Sequence, residues 1–219
     1  WGAVKIFSMN VETHGLEAMK DSHPALVLPR HASTLDAVLP LAIAPHLKRF
    51  RYVIKSELLI APTLDYAAQR LPNVFVERGG GDPEFEIQKI LALATELEQN
   101  VLLVLFPEGT RFTESKRTRL LEKFADDEEL LALTHSLKRT LPPLREGPLR
   151  LLQSTPSTDV VFISHRGIDQ VTAMSDLFHG GLTQATLQIS IWRIAASDIP
   201  RTPQGVRDFL IENWRRVDR

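Results

Sequence analysis

The chain has 219 residues, of which 43% are apolar and 24% charged, a composition typical of a soluble globular protein. Its 26 basic and 27 acidic residues give a formal net charge of −1, which speaks against a nucleic-acid-binding protein, since such proteins usually carry a basic excess. There is no cysteine, which excludes disulfides and a cysteine nucleophile, and no apolar run approaches the roughly 20 residues needed to span a bilayer.

The first third of the chain predicts three short strands and one interrupted helix. Residues 25–28 form an apolar run typical of a buried strand. Residues 34–47 predict a helix in which Pro40 produces a kink or an early break. Further strands are predicted at residues 52–54 and Val74–Val76.

The rest of the chain continues the alternation of helices and strands. An amphipathic helix is predicted at residues 83–99, and a strand buried on both faces at residues 101–106. The later predicted elements are a charged helical stretch at 113–141, strands at 160–164 and 185–194, and a last helix from Thr202 and Pro203 to about 217. Strands that alternate with helices, without a repeat or a low-complexity linker, indicate a single α/β domain.

His31 and Asp36 are the first candidates for chemistry. On a continuous helix, five steps of about 100° would place their side chains roughly 140° apart. They meet if His31 lies in the loop after a strand and Asp36 lies in the first turn of a helix capped by Ser33. The helix dipole then favours an ionised Asp36, which would fix the tautomer of His31 and make it a candidate general base.

The same segment has a simpler interpretation. Ser33 and Asp36 also match a variant of the capping box, with Asp in place of the usual Glu. Under that interpretation Asp36 only caps a helix and His31 is an ordinary loop histidine.

The segment Glu108-Gly109-Thr110-Arg111 follows the strand predicted at 101–106. Loops at the carboxyl ends of strands in open α/β sheets commonly bind ligands. Gly109 permits a sharp turn, Arg111 offers a planar fork for phosphate, and Glu108 could orient that arginine or a substrate hydroxyl. The alternative is a plain Pro-Gly turn with charges at the surface.

Two further positions carry weaker signals. Arg78 follows the strand Val74–Val76, just before three glycines, and is either a phosphate ligand or an ordinary surface arginine. The six histidines other than His31 have no motif around them, and we assign them structural roles; His165, beside Arg166, is one of these.

Taken in this order, the segments resemble the glycerolipid acyltransferase family of lysophosphatidic acid acyltransferases and their relatives. That family carries a His-x4-Asp motif, then an arginine at a strand end, then Phe-Pro-Glu-Gly-Thr-Arg. The chain has His31 with Asp36, then Arg78, then the complete third motif at residues 106–111. Residues 112–116, with the long insert before Pro142, are similar to the bacterial homologues of the endoplasmic-reticulum-type enzymes.

The chain departs from the family pattern at two positions. Arg30 stands where the family usually has Asn, and Arg145 is one residue closer to Gly147 than in the usual fourth motif. The resemblance otherwise covers about residues 11–199. The departures concern the choice of acceptor more than the chemistry.

The resemblance implies an α/β fold with a mixed central sheet flanked by helices, and one acyltransferase domain over residues 1–219. The implied reaction moves a fatty acyl group from acyl-CoA or an acyl carrier protein to a lysophospholipid hydroxyl, with 1-acylglycerol 3-phosphate as the first candidate acceptor. His31 would be the general base and Asp36 would hold it. The implied substrate-binding residues are Arg78, Glu108, Gly109, Thr110 and Arg111. The acyl thioester is a co-substrate, and no cofactor or metal is expected.

Lipid substrates imply work at a membrane surface, which we expect to be the cytoplasmic face of a bacterial inner membrane. Trp214 beside Arg215 and Arg216, and the basic residues at 48–51, suit an anionic interface, although a solvated helix end and turn would look the same. Family members often carry an N-terminal membrane-binding segment, and one could precede Trp1. Two alternatives stay open: a different acceptor, such as glycerol 3-phosphate, a glycolipid or an aminolipid, or a lipid-binding or remodelling protein on the same fold.

Overall fold

The computed structural model describes residues 5–44, 49–55, 74–76, 83–95, 97–143, 146–173 and 175–219. Seven strands form one sheet in the order β1-β7-β6-β2-β5-β3-β4. The strands are β1 (Asn10–His14), β2 (Ala25–Pro29), β3 (Arg49–Lys55), β4 (Val74–Val76), β5 (Val101–Val104), β6 (Asp159–Arg166) and β7 (Thr186–Ile194). The β6–β7 pair is antiparallel and the other pairs are parallel. The predicted α/β class with a mixed sheet is therefore confirmed.

Helices flank the sheet. They are α1 (Leu39–Ile43), α2 (Pro83–Thr95), α3 (Glu114–Lys123), α4 (Glu128–Ser136), α5 (Glu146–Ser154), α6 (Ser175–Phe178) and α7 (Pro203–Asp218). Short 3₁₀ turns lie at Leu16–Met19, Thr34–Ala37 and Ala196–Asp198. Among the residues described, no helix is both long enough and apolar enough to cross a bilayer.

The central strands are apolar on both faces because each face meets its own core. On β2, Leu26 and Leu28 belong to a cluster with residues of α2, α4, α5 and α7, whereas Ala25 and Val27 belong to a second cluster with Met19 and α1. A strand with core on both sides needs an unbroken apolar run, and this explains why β2 and β5 could be recognised from sequence.

Two predicted helices are divided in the structure. The helix expected at 34–47 begins as the 3₁₀ turn Thr34–Ala37 and resumes as α1, and residues 45–48 lie outside the described part of the chain. Pro40 does not break α1 but sits in its first turn, where a missing N–H costs nothing. The stretch at 113–141 is divided into α3 and α4, because the Asp127 side chain accepts a hydrogen bond from the Leu130 N–H and starts a new helix.

The boundaries of the other predicted elements differ less. The helix predicted at 83–99 ends at Thr95, and the strand predicted at 52–54 extends over Arg49–Lys55. Strand β1 and helices α5 and α6 were not predicted from the sequence. Edge strand β1 is largely exposed, so its apolar pattern is weak.

The topology brings three strand ends together. β2 lies between β5 and β6 and is parallel to both, so the residues that follow Pro29, Val104 and Arg166 emerge at the same edge of the sheet. This edge is where ligands usually bind in open α/β sheets. It contains His31, the loop at residues 106–111 and the end of β6.

Gly167, the residue after β6, turns the chain back towards the site. Its φ is 97°, and a methyl group there would overlap the carbonyl oxygen of Thr186. We expect Gly167→Ala to lower the free energy of unfolding by about 2 kcal/mol or more, through left-handed strain and the clash. Urea unfolding followed by circular dichroism measures the change.

Gly147 provides the matched control. It lies in the first turn of α5, where an added methyl group would meet only Ile90 Cδ1 at 3.9 Å. Alanine is the better helix former, so Gly147→Ala should leave stability unchanged or raise it by up to about 1 kcal/mol. An equal loss in both variants would contradict the role given to Gly167.

Candidate active site

The histidine–aspartate pair is formed at the end of β2. Ser33 is the N-cap of the 3₁₀ turn Thr34–Ala37, and its hydroxyl accepts from the Leu35 N–H while the carboxylate of Asp36 turns back to the Ser33 N–H. His31 Nδ1 lies 3.1 Å from Asp36 Oδ2. The capping arrangement and the pair therefore occur together, because the cap aims Asp36 at the loop that holds His31.

The carboxylate of Asp36 is buried and receives several donors. Its Oδ2 accepts from the N–H groups of Ala32, at 2.5 Å, and Ser33, at 2.7 Å, in addition to its contact with His31 Nδ1. Burial on its own raises the pKa of Asp36, but the His165 and His31 side chains and the Ser33 N–H outweigh it and hold the pKa well below its usual range. Asp36 is therefore ionised at neutral pH.

The ring of His31 is placed by two contacts. It stacks on Phe106, with ring centroids 4.2 Å apart and planes at 29°, and its Nδ1 faces Asp36. The side chain is 22% exposed, while Asp36 is not exposed at all. With Nδ1 turned to Asp36, acid–base chemistry falls to Nε2.

Glu108 supports the loop of His31 from the neighbouring strand end. Its Oε1 accepts from the His31 N–H and its Oε2 from the Leu141 N–H, both at 2.8 Å. The residue is only 2% exposed, and its two oxygens face these backbone N–H groups, whereas Arg111 donates to Thr34 and Thr172. Burial raises the pKa of Glu108 to about 8, against the two backbone hydrogen bonds, which lower it. Its expected contact with substrate stays a prediction.

The other residues of the motif line the same turn. Gly109 has a φ of 66°, and its N–H bonds to the Phe106 carbonyl at 2.9 Å, as expected for a tight turn. Thr110 Oγ1 accepts from Lys116 Nζ at 2.8 Å. Arg111 Nη1 donates to Thr34 Oγ1 at 2.6 Å and to the Thr172 carbonyl. Arg111 therefore contacts the 3₁₀ turn that also carries Asp36, and its binding of phosphate stays a prediction.

Two residues at the site were not predicted to belong to it. His165 Nε2 lies 3.0 Å from Asp36 Oδ1. Arg30, a buried arginine, donates to the carbonyl oxygens of Arg139 and His165 and pairs with Asp169. Arg30 directly precedes the His-x4-Asp motif and was noted only as a departure from the family pattern. His165 belongs to no motif, and its only signal was an imidazole in a strand that is otherwise buried and mostly apolar.

Some expectations are not addressed by this geometry. Arg78 and Arg145 lie outside the described residues. Within the described ranges, no group of three or more His, Asp or Glu residues is placed to hold a metal ion. Trp214 is wholly buried and donates to the Leu141 carbonyl, so its ring is not presented to a lipid surface.

The structure thus places a His–Asp pair beside a Phe-Pro-Glu-Gly-Thr-Arg loop at the strand ends of an α/β sheet. The family model described as Acyltransferase matches residues 10–166, and the chain belongs to that family.

The chain is also similar in sequence to several curated proteins. A probable 1-acyl-sn-glycerol-3-phosphate acyltransferase 5 of Arabidopsis thaliana is 28% identical over 170 residues, covering 77% of this chain and 44% of that protein. A lyso-ornithine lipid O-acyltransferase of Pseudomonas aeruginosa is 33% identical over 96 residues, covering 43% and 34%. The chain spans about half the length of the first curated relatives it matches.

The crystal structure of the 1-acyl-sn-glycerophosphate acyltransferase PlsC from Thermotoga maritima has a similar fold. The TM-score is 0.64 at 15% identity, over 98% of this chain and 73% of that chain. At this identity the likeness concerns the fold, and it supports the mixed sheet flanked by helices described above.

Glu108 should make stability depend on pH. Because its pKa is raised from 4.5 to about 8, the folded protein keeps a proton that the unfolded chain releases in that range. The free energy of unfolding should therefore fall as pH rises from about 4.5 to about 8. Glu108→Gln removes this contribution, which is at most about 5 kcal/mol.

Urea unfolding of the parent and the variant at about pH 5 and about pH 8 isolates the contribution, since all other groups are shared. Glu122→Gln, which changes an exposed glutamate of α3, should reproduce the parental slope. A Glu108→Gln protein with the parental pH dependence would show that Glu108 does not titrate in this way.

Proposed function

We propose that this chain transfers a fatty acyl group from acyl-CoA or an acyl carrier protein to the hydroxyl of a lysophospholipid, with 1-acylglycerol 3-phosphate as the first candidate. The observation that supports it most directly is the half-buried His31 held by a buried, ionised Asp36 at the carboxyl edge of the sheet. Membership of the Acyltransferase family and the names of the curated relatives agree with it.

In the proposed reaction, His31 Nε2 accepts the proton of the acceptor hydroxyl. The oxygen attacks the thioester carbonyl, the C–S bond breaks, and the leaving thiolate takes the proton back from the imidazolium. Asp36 stabilises that imidazolium and keeps Nδ1 protonated in the resting state. The chain has no cysteine, so the acyl group passes to the acceptor without an acyl-cysteine intermediate.

Recognition of the acceptor phosphate is assigned to arginine. Arg111 Nη1 contacts Thr34 in the turn that also carries Asp36, so a phosphate bound by this guanidinium would lie close to His31. Arg78 is proposed as the second phosphate ligand from its position in the motif.

The substrates place the enzyme at a membrane surface. We propose the cytoplasmic face of a bacterial inner membrane, where acyl thioesters from the cytoplasm meet lysophospholipid in the leaflet. The burial of Trp214 means that its aromatic ring is not part of the membrane contact.

Replacement of the proposed base gives the central test. His31→Ala should reduce acyl transfer by about 100- to 10,000-fold, the range supplied by general acid–base catalysis. The thiol released from acyl-CoA can be followed with a chromogenic disulfide, and because the chain has no cysteine the protein itself gives no signal.

The control is His179→Ala, which changes an exposed histidine bonded to the Ser175 carbonyl. It should transfer at the parental rate. A purified His31→Ala protein that also does so would refute the proposed mechanism.

The assay should include a second class of acceptor. The relative named a lyso-ornithine lipid O-acyltransferase is 33% identical over the 96 residues it matches, which favours an aminolipid as the alternative. Mass spectrometry of the products formed from lysophospholipids, glycerol 3-phosphate and lyso-ornithine lipid shows which of these acceptors is acylated. A protein that binds these lipids without forming any acylated product would instead be a lipid-binding member of the fold.

Arg111 allows the phosphate proposal to be tested separately. Arg111→Gln should lower kcat/KM for 1-acylglycerol 3-phosphate about tenfold or more, the loss expected for a charge-assisted hydrogen bond worth about 1.5–3 kcal/mol. Activity towards a monoacylglycerol, which has no phosphate, should change little.

Arg119→Gln, an exposed position on α3, is the control and should leave both activities unchanged. If Arg111 only ties Thr34 and Thr172 together, its replacement will lower both activities by the same factor. That outcome would remove Arg111 from the phosphate site.

A further inference from the structure

We propose that His165 is a positioning residue for the proposed reaction, acting on His31 through the carboxylate of Asp36. The inference rests on the proposed function for its effect on rate, but its geometric basis is independent of it. Asp36 would then lie between two imidazoles, with His31 at Oδ2 and His165 at Oδ1.

The two carboxylate oxygens of Asp36 have very different surroundings. Oδ2 is saturated by the N–H groups of Ala32 and Ser33 and by His31 Nδ1. Oδ1 has no aligned hydrogen bond among the described residues, and the polar group that faces it is His165 Nε2, at 3.0 Å. The contact has hydrogen-bond distance without hydrogen-bond alignment, so in this conformation it is electrostatic.

In the part of the chain described here, the His165 ring makes no other hydrogen bond or ion pair. Both ring nitrogens are buried and lack an aligned hydrogen-bond partner there. The side chains of His165 and Asp36 are both fully shielded from solvent. A buried imidazole without a polar partner destabilises the folded state, and the electrostatic contact with Asp36 offsets this destabilisation.

The placement follows from strand register. Ile163 pairs with Pro29 on β2, and its carbonyl accepts the Arg30 N–H at 2.9 Å. Because side chains alternate along a strand, His165 points to the same side as Ile163, two residues further towards the carboxyl edge. That brings His165 level with the turn of Asp36.

The backbone of His165 makes a separate contact, since its carbonyl accepts from Arg30 Nη1 at 2.8 Å. Substitution of the side chain leaves this hydrogen bond available.

The consequence for catalysis is orientation. A carboxylate held at only one oxygen can rotate and move Oδ2 away from Nδ1 of His31, whereas one held at both oxygens cannot. The Nε2–H dipole also favours the ionised form of Asp36, which is the form that fixes the tautomer of His31 and stabilises its imidazolium.

Three substitutions at one position test this role. His165→Leu removes the contact but suits a strand buried among apolar residues, His165→Gln places an amide near the position of Nε2, and His165→Asn is too short to reach it. We expect kcat for acyl transfer to fall about tenfold or more in His165→Leu and His165→Asn, with KM within about twofold of the parent, and to be largely restored in His165→Gln. His179→Leu, an exposed histidine, is the control and should behave as the parent.

A purely structural role predicts a different pattern. It would lower the melting temperature and both kinetic parameters alike, without rescue by glutamine, and that result would overturn the proposal. So would a folded His165→Leu protein with the parental kcat. If His165→Leu does not fold, the comparison of the glutamine and asparagine variants decides, and equal kcat values would reject the role.

A second readout does not depend on activity. In protein labelled with ¹⁵N-histidine, the ring signals of His31 report whether Nδ1 keeps its proton beside Asp36. We expect His165→Leu to shift these signals towards a mixture of tautomers, and His165→Gln to retain the parental pattern. Unchanged His31 signals in His165→Leu would contradict the inference. Parental protein that transfers no acyl group would instead contradict the proposed function, and the signals of His31 would still decide about His165.

Discussion

A carboxyl group taken out of water must find hydrogen-bond partners inside the protein, and two such groups shape this site. Asp36 accepts from the N–H groups of Ala32 and Ser33 and contacts two histidine rings. Glu108 accepts from the N–H groups of His31 and Leu141. A buried carboxylate left without these contacts would cost several kcal/mol. The loop of His31 is therefore held at its backbone by the carboxyl group of Glu108 and at its ring by the carboxylate of Asp36.

The burial of Glu108 also connects the loop of His31 with the last helix, α7, through Leu141. The Leu141 N–H bonds to Glu108, and its carbonyl accepts from Trp214 Nε1 in α7, at 3.0 Å. In the last turn of α7, Asp218 accepts from the backbone N–H groups of Lys138 and Arg139, just before Leu141. A helix more than 170 positions after His31 thus supports its loop through the segment at 138–141. Trp214, one of the largest wholly buried side chains, anchors this support through its bond to Leu141.

The sequence predicted the parts of the site that depend on neighbours along the chain. The capping pattern of Ser33 and Asp36 is local, so spacing predicted where the Asp36 side chain turns but left a simple helix cap as an alternative. The complete motif at 106–111, through the family resemblance, then favoured a functional His31–Asp36 pair. The buried strands β2 and β5 were recognised because a two-sided core leaves a continuous apolar run.

The remaining parts depend on pairing between distant segments. His165 is 129 positions from Asp36 and meets it only because β6 lies beside β2 in the sheet. Glu108 was expected to face Arg111 or substrate, and its bond to Leu141 depends on where the segment after α4 comes to lie. No periodicity within a single segment carries either piece of information.

The departure at Arg30 can be interpreted from these contacts. Its side chain is 2% exposed, so it acts on the site through protein groups rather than by direct contact with substrate. The guanidinium reaches the carbonyl of Arg139 on one side and the carbonyl of His165 on the other, and it pairs with Asp169. An asparagine at this position has one short amide and could not span these three groups. Arg30, the residue preceding His31, therefore links the segment supported by α7 to the loop after β6, which places the departure in the framework around the His31–Asp36 pair.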